Sequence, residues 1–204
     1  MDLYIIRHGE ATGQGVNSNL TERGNIQVKL LGERMKNYNI EKIYVSPYLR
    51  ALKTALPVYE NSEHSEIEIV YDLMEKGTPP EYYGTEKTEI QKIFPGAKIG
   101  KPKCLGTETD EISLQRAKRV IDYIKADSKN RESIAVVAHG TFNTFLISAA
   151  ADLPVYENLN FSQDNTGVTL IRYIVDKETE KTKIYYTNDI RHIPMEIGTE
   201  GVKR

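Results

Sequence analysis

Four short apolar runs, Leu3–Ile6, Lys42–Val45, Ile67–Val70 and Ile134–Ala138, alternate with longer stretches of helical spacing. That alternation predicts an α/β protein with a mostly parallel central sheet, a three-layer α/β/α sandwich. The unbroken run Ile134-Ala135-Val136-Val137 suits a strand covered on both faces. Thr21 can cap a helix carrying Ile26, Leu30, Leu31 and Met35 on one side. Ser46-Pro47 reads as a helix opening, with Leu49, Leu52, Thr54 and Ala55 following before Pro57 disturbs the pattern. Residues 110–126 form the clearest amphipathic helix, with Ala117, Val120, Ile121 and Ile124 on one stripe. Thr141–Ala151 is apolar around most of its circumference and predicts a buried helix. Val168–Val175 and Lys183–Thr187, separated by a charged stretch, predict a hairpin. Residues 72–108 hold Pro79-Pro80, Pro95-Gly96 and only a short helical pattern around 86–94. They read as an excursion above the sheet, over the substrate, within one domain of residues 1–204.

Composition narrows the setting. The chain has 204 residues, 39% hydrophobic and 27% charged, enough to bury a core without disulfides or structural metals. A net charge of −2 gives no overall attraction to nucleic acid or anionic membranes. The one cysteine, Cys104, excludes an internal disulfide and suggests a reducing compartment. The apolar run before Arg7 is too short for a signal peptide or a membrane span, so a cytoplasmic protein is expected.

Two His-Gly pairs each end an apolar strand, His8-Gly9 and His139-Gly140. In an open parallel sheet the ligand crevice lies beyond the carboxyl ends of the strands. If the two runs are parallel neighbours, both histidines meet there, and the glycines let backbone approach a ligand closely. Arg7 precedes the first histidine, and Arg50 follows the second strand at the start of a helix. Arginine's planar fork suits a phosphate, and a helix start adds positive potential to the same edge.

These residues resemble the histidine phosphatase superfamily, which includes the cofactor-dependent phosphoglycerate mutases. Arg7-His8-Gly9-Glu10 is similar to its signature, and Leu20-Thr21-Glu22-Arg23-Gly24 to its LT-x-x-G helix start. The segment from Ser46-Pro47 through Arg50-Ala51 to Thr54-Ala55 resembles its SP-x-x-R-A-x-x-T-A motif. Ala138-His139-Gly140 is similar to its second histidine motif, and Asn188-Asp189-Ile190-Arg191-His192 to its late N-D-x-x-H stretch. The matches run in the family order from residue 3 to 192.

The resemblance implies that His8 attacks phosphorus and forms a phosphohistidine, its other ring nitrogen donating to a carbonyl. It implies that Arg7, Arg50 and His139 hold the non-bridging oxygens in place of a metal. Glu75 aligns with the acid that protonates the leaving oxygen. The family's E-x-x-x-G-E-W-E-G run is EKGTPPEYYG here, so Glu81 competes for that role. Where the family often has asparagine, touching the phosphoryl group, this chain has Gln14, with Asn17 a possible substitute in another register. Gly140 completes the expected substrate-binding set. The implied activity is hydrolysis of a small phosphorylated metabolite without metal or other cofactor. Phosphoglycerate mutase activity and a catalytically weak phosphate-binding module are the rivals.

Other signals carry less. Gly9-Glu10-Ala11-Thr12-Gly13-Gln14-Gly15 lacks the Gly-Lys-Ser/Thr of a Walker A loop and the third glycine of a dinucleotide fingerprint. His64 lies among glutamates and reads as a solvated loop. No metal-ligand spacing such as HExxH is present. His192 reads as structural and Cys104 as an ordinary residue. Lys87, Lys92, Lys98, Lys101 and Lys103 either rim the site or simply face water.

Overall fold

The computed structural model describes residues 1–154, 161–176 and 179–199. Seven strands form one sheet: β1 (Asp2–Arg7), β2 (Lys42–Val45), β3 (Glu66–Ile69), β4 (Lys98–Ile99), β5 (Ser133–Ala138), β6 (Val168–Asp176) and β7 (Thr179–Asp189). Their spatial order is β4-β3-β2-β5-β1-β6-β7. The first five in that order run parallel, whereas β6 and β7 are antiparallel. Five helices, α1 (Glu22–Met35), α2 (Leu49–Glu60), α3 (Lys87–Ile93), α4 (Asp110–Asp127) and α5 (Gly140–Ala150), cover the two faces.

Strand alternation assigns each apolar side chain to a layer. Tyr4 and Ile6 of β1 face a cluster with Leu31 and Met35 of α1 and Leu52 and Ala55 of α2. Leu3 and Ile5 face the opposite cluster, with Val120 and Ile124 of α4 and Phe142 and Leu146 of α5. This is the three-layer α/β/α arrangement the sequence predicts.

The structure corrects three boundaries. The Ser46-Pro47 helix begins two residues later, with Tyr48 as its N-cap and no side-chain capping bond. Ser46 Oγ is 2.7 Å from Nε2 of His139 and accepts only a long bond, 3.4 Å, from the Tyr48 amide, so the hydroxyl expected to cap a helix chiefly serves a histidine. Pro57 does not end α2, which continues to Glu60. It packs against α1 where Gly32 leaves room, since a Cβ on Gly32 would lie 2.6 Å from Pro57 Cβ. The hairpin is longer than the apolar signal: β6 reaches Asp176, and β7 starts at Thr179. Residues 177–178, also in the charged stretch, lie outside the described set. β7 is an edge strand exposed along most of its length, so nothing requires apolar alternation there.

Candidate active site

Parallel pairing of β1 with β5 places Arg7 opposite Ala138, and the His8 amide donates to the Ala138 carbonyl at 3.0 Å. His8 and His139 therefore leave adjacent strands side by side, their ring centroids 5.2 Å apart. His8 Nδ1 donates to the Gly9 carbonyl at 2.7 Å, leaving Nε2 to accept from Arg50 Nε at 3.1 Å. Burial and then the Arg50 guanidinium pull the imidazole down to about 3, against the opposing Gly9 hydrogen bond and with a lesser pull from Arg7. His8 is thus a neutral ring with an in-plane lone pair directed at Arg50.

His139 is wholly buried. Its Nδ1 accepts from Arg50 Nη2 at 3.2 Å, so its Nε2 hydrogen goes to Ser46 Oγ. Burial holds this ring far below the ordinary histidine range, helped by His8 and Arg50. Arg50, the second residue of α2, is fully buried and links both rings. Its Nη1 donates to the carbonyls of Gln14 and Gly15 at 3.2 and 2.8 Å, and its guanidinium lies 4.8 Å from the Tyr48 ring centroid.

Arg7 Nη1 donates to the Gln163 carbonyl at 2.6 Å, while its Nε is buried without a hydrogen-bond partner. A Cβ on Gly140 would lie 3.1 Å from that Nε, so glycine here lets Arg7 sit close against the start of α5. Glu75 sits against the start of α5. Its Oε1 accepts from the Phe142 and Lys76 amides at 2.8 and 2.9 Å, and its Oε2 from the Thr141 amide at 3.2 Å.

Arg7, His8, Gln14, Glu75 and Gly140 line a cavity of about 890 Å³. Arg50 and His139 are buried outside that lining, with Arg50 bonded both to His8 and to His139. Asn17 is exposed and outside the lining, and Glu81 is exposed on a turn outside it. The lysines of the excursion are elsewhere: Lys98 pairs with Glu68, Lys92 with Glu89 and Lys103 with Asp72. Lys76 does line the cavity, paired there with Asp110. Among the described residues no three histidine, cysteine or acidic side chains are grouped to hold a metal ion.

The motif residues outside the cavity brace it. Thr54 Oγ1 accepts from the Gly9 amide at 3.0 Å and donates to the Arg50 carbonyl at 2.6 Å, joining the segments that carry His8 and Arg50. Thr21 caps α1 by accepting from the Gly24 amide and donates to Glu10 Oε1. A Cβ at Gly24 would lie 2.0 Å from the Glu10 carbonyl oxygen, so the helix can touch that turn only through glycine. The late N-D-x-x-H stretch lies behind β1. His192 Nε2 is 3.1 Å from Thr166 Oγ1, and the Thr166 amide is bonded to the Arg7 and His8 carbonyls.

Two residues with no motif around them complete the surroundings. Gln163 holds Arg7 through its carbonyl, and its Nε2 donates to the Ile5 carbonyl and Thr169 Oγ1. Arg116 of α4 donates to the carbonyls of Asp72 and Met74 at 2.6 and 2.9 Å. It is buried beside the apolar stripe of α4, where an arginine by itself carries no sequence signal for a site.

The mostly parallel sheet thus brings two strand-end histidines and two arginines to one crevice. The family model for the histidine phosphatase superfamily (branch 1) matches residues 3–184. The chain belongs to that superfamily and, with it, to the phosphoric monoester hydrolases. A Hydrogenobacter thermophilus protein named as a candidate phosphoserine phosphatase is 26% identical over 202 residues, spanning 93% of this chain and 96% of its own. The fructose-2,6-bisphosphatase TIGAR of Xenopus tropicalis is 31% identical over 138 residues, 60% of this chain and 49% of that protein. In fold, the chain is similar to mycobacterial glucosyl-3-phosphoglycerate phosphatase, with a TM-score of 0.66 at 19% identity, covering 92% of this chain and 98% of that one.

Proposed function

We propose that the chain hydrolyses small phosphate monoesters through a phosphohistidine on His8, without a metal. The observation that carries this reading is the His8 ring itself. Its Nδ1 proton is fixed on the Gly9 carbonyl, so the free lone pair is on Nε2, next to Arg50. Nε2 attacks phosphorus and the bond to the leaving oxygen breaks, with Glu75 supplying that oxygen's proton. Water then attacks the phosphohistidine, the P–N bond breaks, and Glu75 takes the proton from water. Phosphate leaves and His8 returns to its starting form. Arg7 Nε and the Arg50 fork supply donors to the phosphoryl oxygens, and their charge takes the place of a metal ion.

His139 contributes a donor only after a change of tautomer. Its Nδ1 now accepts from Arg50. In the other tautomer, reached by releasing the Nε2 proton to solvent and taking one up from solvent at Nδ1, Nε2 accepts from the Ser46 hydroxyl and Nδ1 donates to a phosphoryl oxygen that has displaced Arg50.

Residues 72–108 cap the substrate within one domain, and Lys76 and Asp110 give the leaving-group side one charge of each sign. A small leaving group carrying both a carboxylate and an ammonium, as in O-phosphoserine, complements that pair. A single exposed cysteine fits a reducing cytoplasm. Among the described residues no helix is long and apolar enough to cross a membrane.

The test is phosphate release from p-nitrophenyl phosphate in EDTA, with His8→Ala alongside. Turnover that survives EDTA and vanishes in His8→Ala supports the reading. Turnover lost to EDTA overturns the metal-free part. Interconversion of 2- and 3-phosphoglycerate without phosphate release would make the chain a mutase instead.

A further inference from the structure

Glu75 is carried by an irregular segment, yet its carboxylate must be held near a leaving oxygen within a few tenths of an ångström. We propose that Arg116, on α4, is the positioning residue that fixes Glu75 for proton transfer, with Glu108 as its anchor. This rests on the reading of Glu75 as the acid.

One guanidinium grips both ends of the Glu75 arrangement. Its Nη1 bridges the carbonyls of Asp72 and Met74, which flank the approach to Glu75. Its face lies 3.6 Å from the ring centroid of Phe142, whose amide donates to Glu75 Oε1. The same group thus sets the backbone that carries the carboxylate and the residue that receives it. Glu108 fixes the guanidinium by a two-point pair, Nε to Oε1 at 2.8 Å and Nη2 to Oε2 at 2.6 Å. The side chains of Arg116 and Glu108 are 1% and 3% exposed, so neither swings freely into water. Only arginine can serve here, because a lysine has no planar fork to meet a carboxylate while donating to two carbonyls. On the other flank, Thr78 Oγ1 donates to the Glu75 carbonyl and is 2.6 Å from Tyr48 Oη, so the segment is held from two sides.

A buried ion pair kept only for stability would affect all substrates alike. A device that aims an acid affects those whose leaving group needs a proton. Arg116→Lys is therefore assayed with β-glycerophosphate, an alkyl substrate, and p-nitrophenyl phosphate, an activated aryl one. Arg116→Met/Glu108→Met, which leaves no unpaired buried charge, is the second variant if the first fails to fold. The expected result is a loss of about tenfold or more in kcat for the alkyl substrate, with the aryl rate within about threefold. Added to Glu75→Gln, the Arg116 change should cause no further loss on the alkyl substrate. Equal losses on both substrates, or losses that multiply with Glu75→Gln, overturn the proposal. If Glu75→Gln itself treats the two substrates alike, Glu75 is not the acid, and the reading beneath this proposal falls with it.

Discussion

Nε of Arg50 stands 3.1 Å from Nε2 of His8, and because a guanidinium can only donate, that histidine nitrogen must offer a lone pair. Burial, with this cation beside it, keeps the His8 ring neutral. One consequence concerns acid stability. His8 in the folded chain sits at about 3, whereas an unfolded histidine titrates near 6.5. Between those values the unfolded chain binds the extra proton, so folding stability rises with pH across that window and is lost as pH falls through it. Urea unfolding of His8→Gln should show a flatter dependence between about pH 6.5 and 3.5 than the native chain. The expected difference accumulates to a few kcal/mol. Parallel curves would mean that His8 is not held neutral.

Ser46→Ala should lower kcat by roughly tenfold to a hundredfold on aryl substrates, since it removes the hydroxyl that can return a hydrogen to His139. Ser46→Thr, which keeps the hydroxyl, should recover much of that loss. Steady-state kinetics on both variants decide the matter, and an unimpaired Ser46→Ala would separate this hydroxyl from the chemistry.

Two carboxylates are separable by one comparison. Glu75→Gln should cost about 10²-fold or more on β-glycerophosphate and much less on p-nitrophenyl phosphate. Glu81→Gln, exposed and off the cavity, should stay within about twofold on both.

Gly24→Ala puts a methyl group 2.0 Å from the Glu10 carbonyl, a backbone atom with little room to yield. A cost of about 1–3 kcal/mol is expected, read as a fall in Tm of several degrees. The turn after His8 would also shift, so kcat should fall with Tm. An unchanged Tm would show that α1 can move away from that turn.

On the leaving-group side, exchanging the charges with Lys76→Asp and Asp110→Lys tests whether the pair reads substrate charge. The double swap should change kcat/KM for O-phosphoserine relative to β-glycerophosphate less than either single change does. Equal ratios in all variants would leave the pair a tether between the 75–79 segment and α4.

What the sequence reveals here follows from where apolar pattern and chemistry coincide. β1 and β5 are legible because strands covered on both faces must be continuously apolar, and each ends in a His-Gly pair. The hairpin is under-read at its outer end, because an edge strand in water carries Glu180, Lys181 and Lys183 without penalty. β4 is two residues long and carries no periodicity. Ser46 looks like a cap, since a hydroxyl before Pro47 has the same local signature whether it meets a backbone amide or a distant histidine. Gln163 and Arg116 are invisible because their roles lie in carbonyls and carboxylates brought close only by folding.

The placement of β5 between β1 and β2 governs when the site can exist. Until residues 133–138 enter that gap, β1 and β2 have no strand between them, and His139 and the start of α5 are missing. A chain emerging from the ribosome would carry Arg7, His8, Arg50 and Glu75 long before it could align them. The last parallel strand to arrive joins the two halves of the parallel sheet and brings the second histidine in the same movement, and the later β6, with Val168 and Ile171, then finishes the core on the other side of β1.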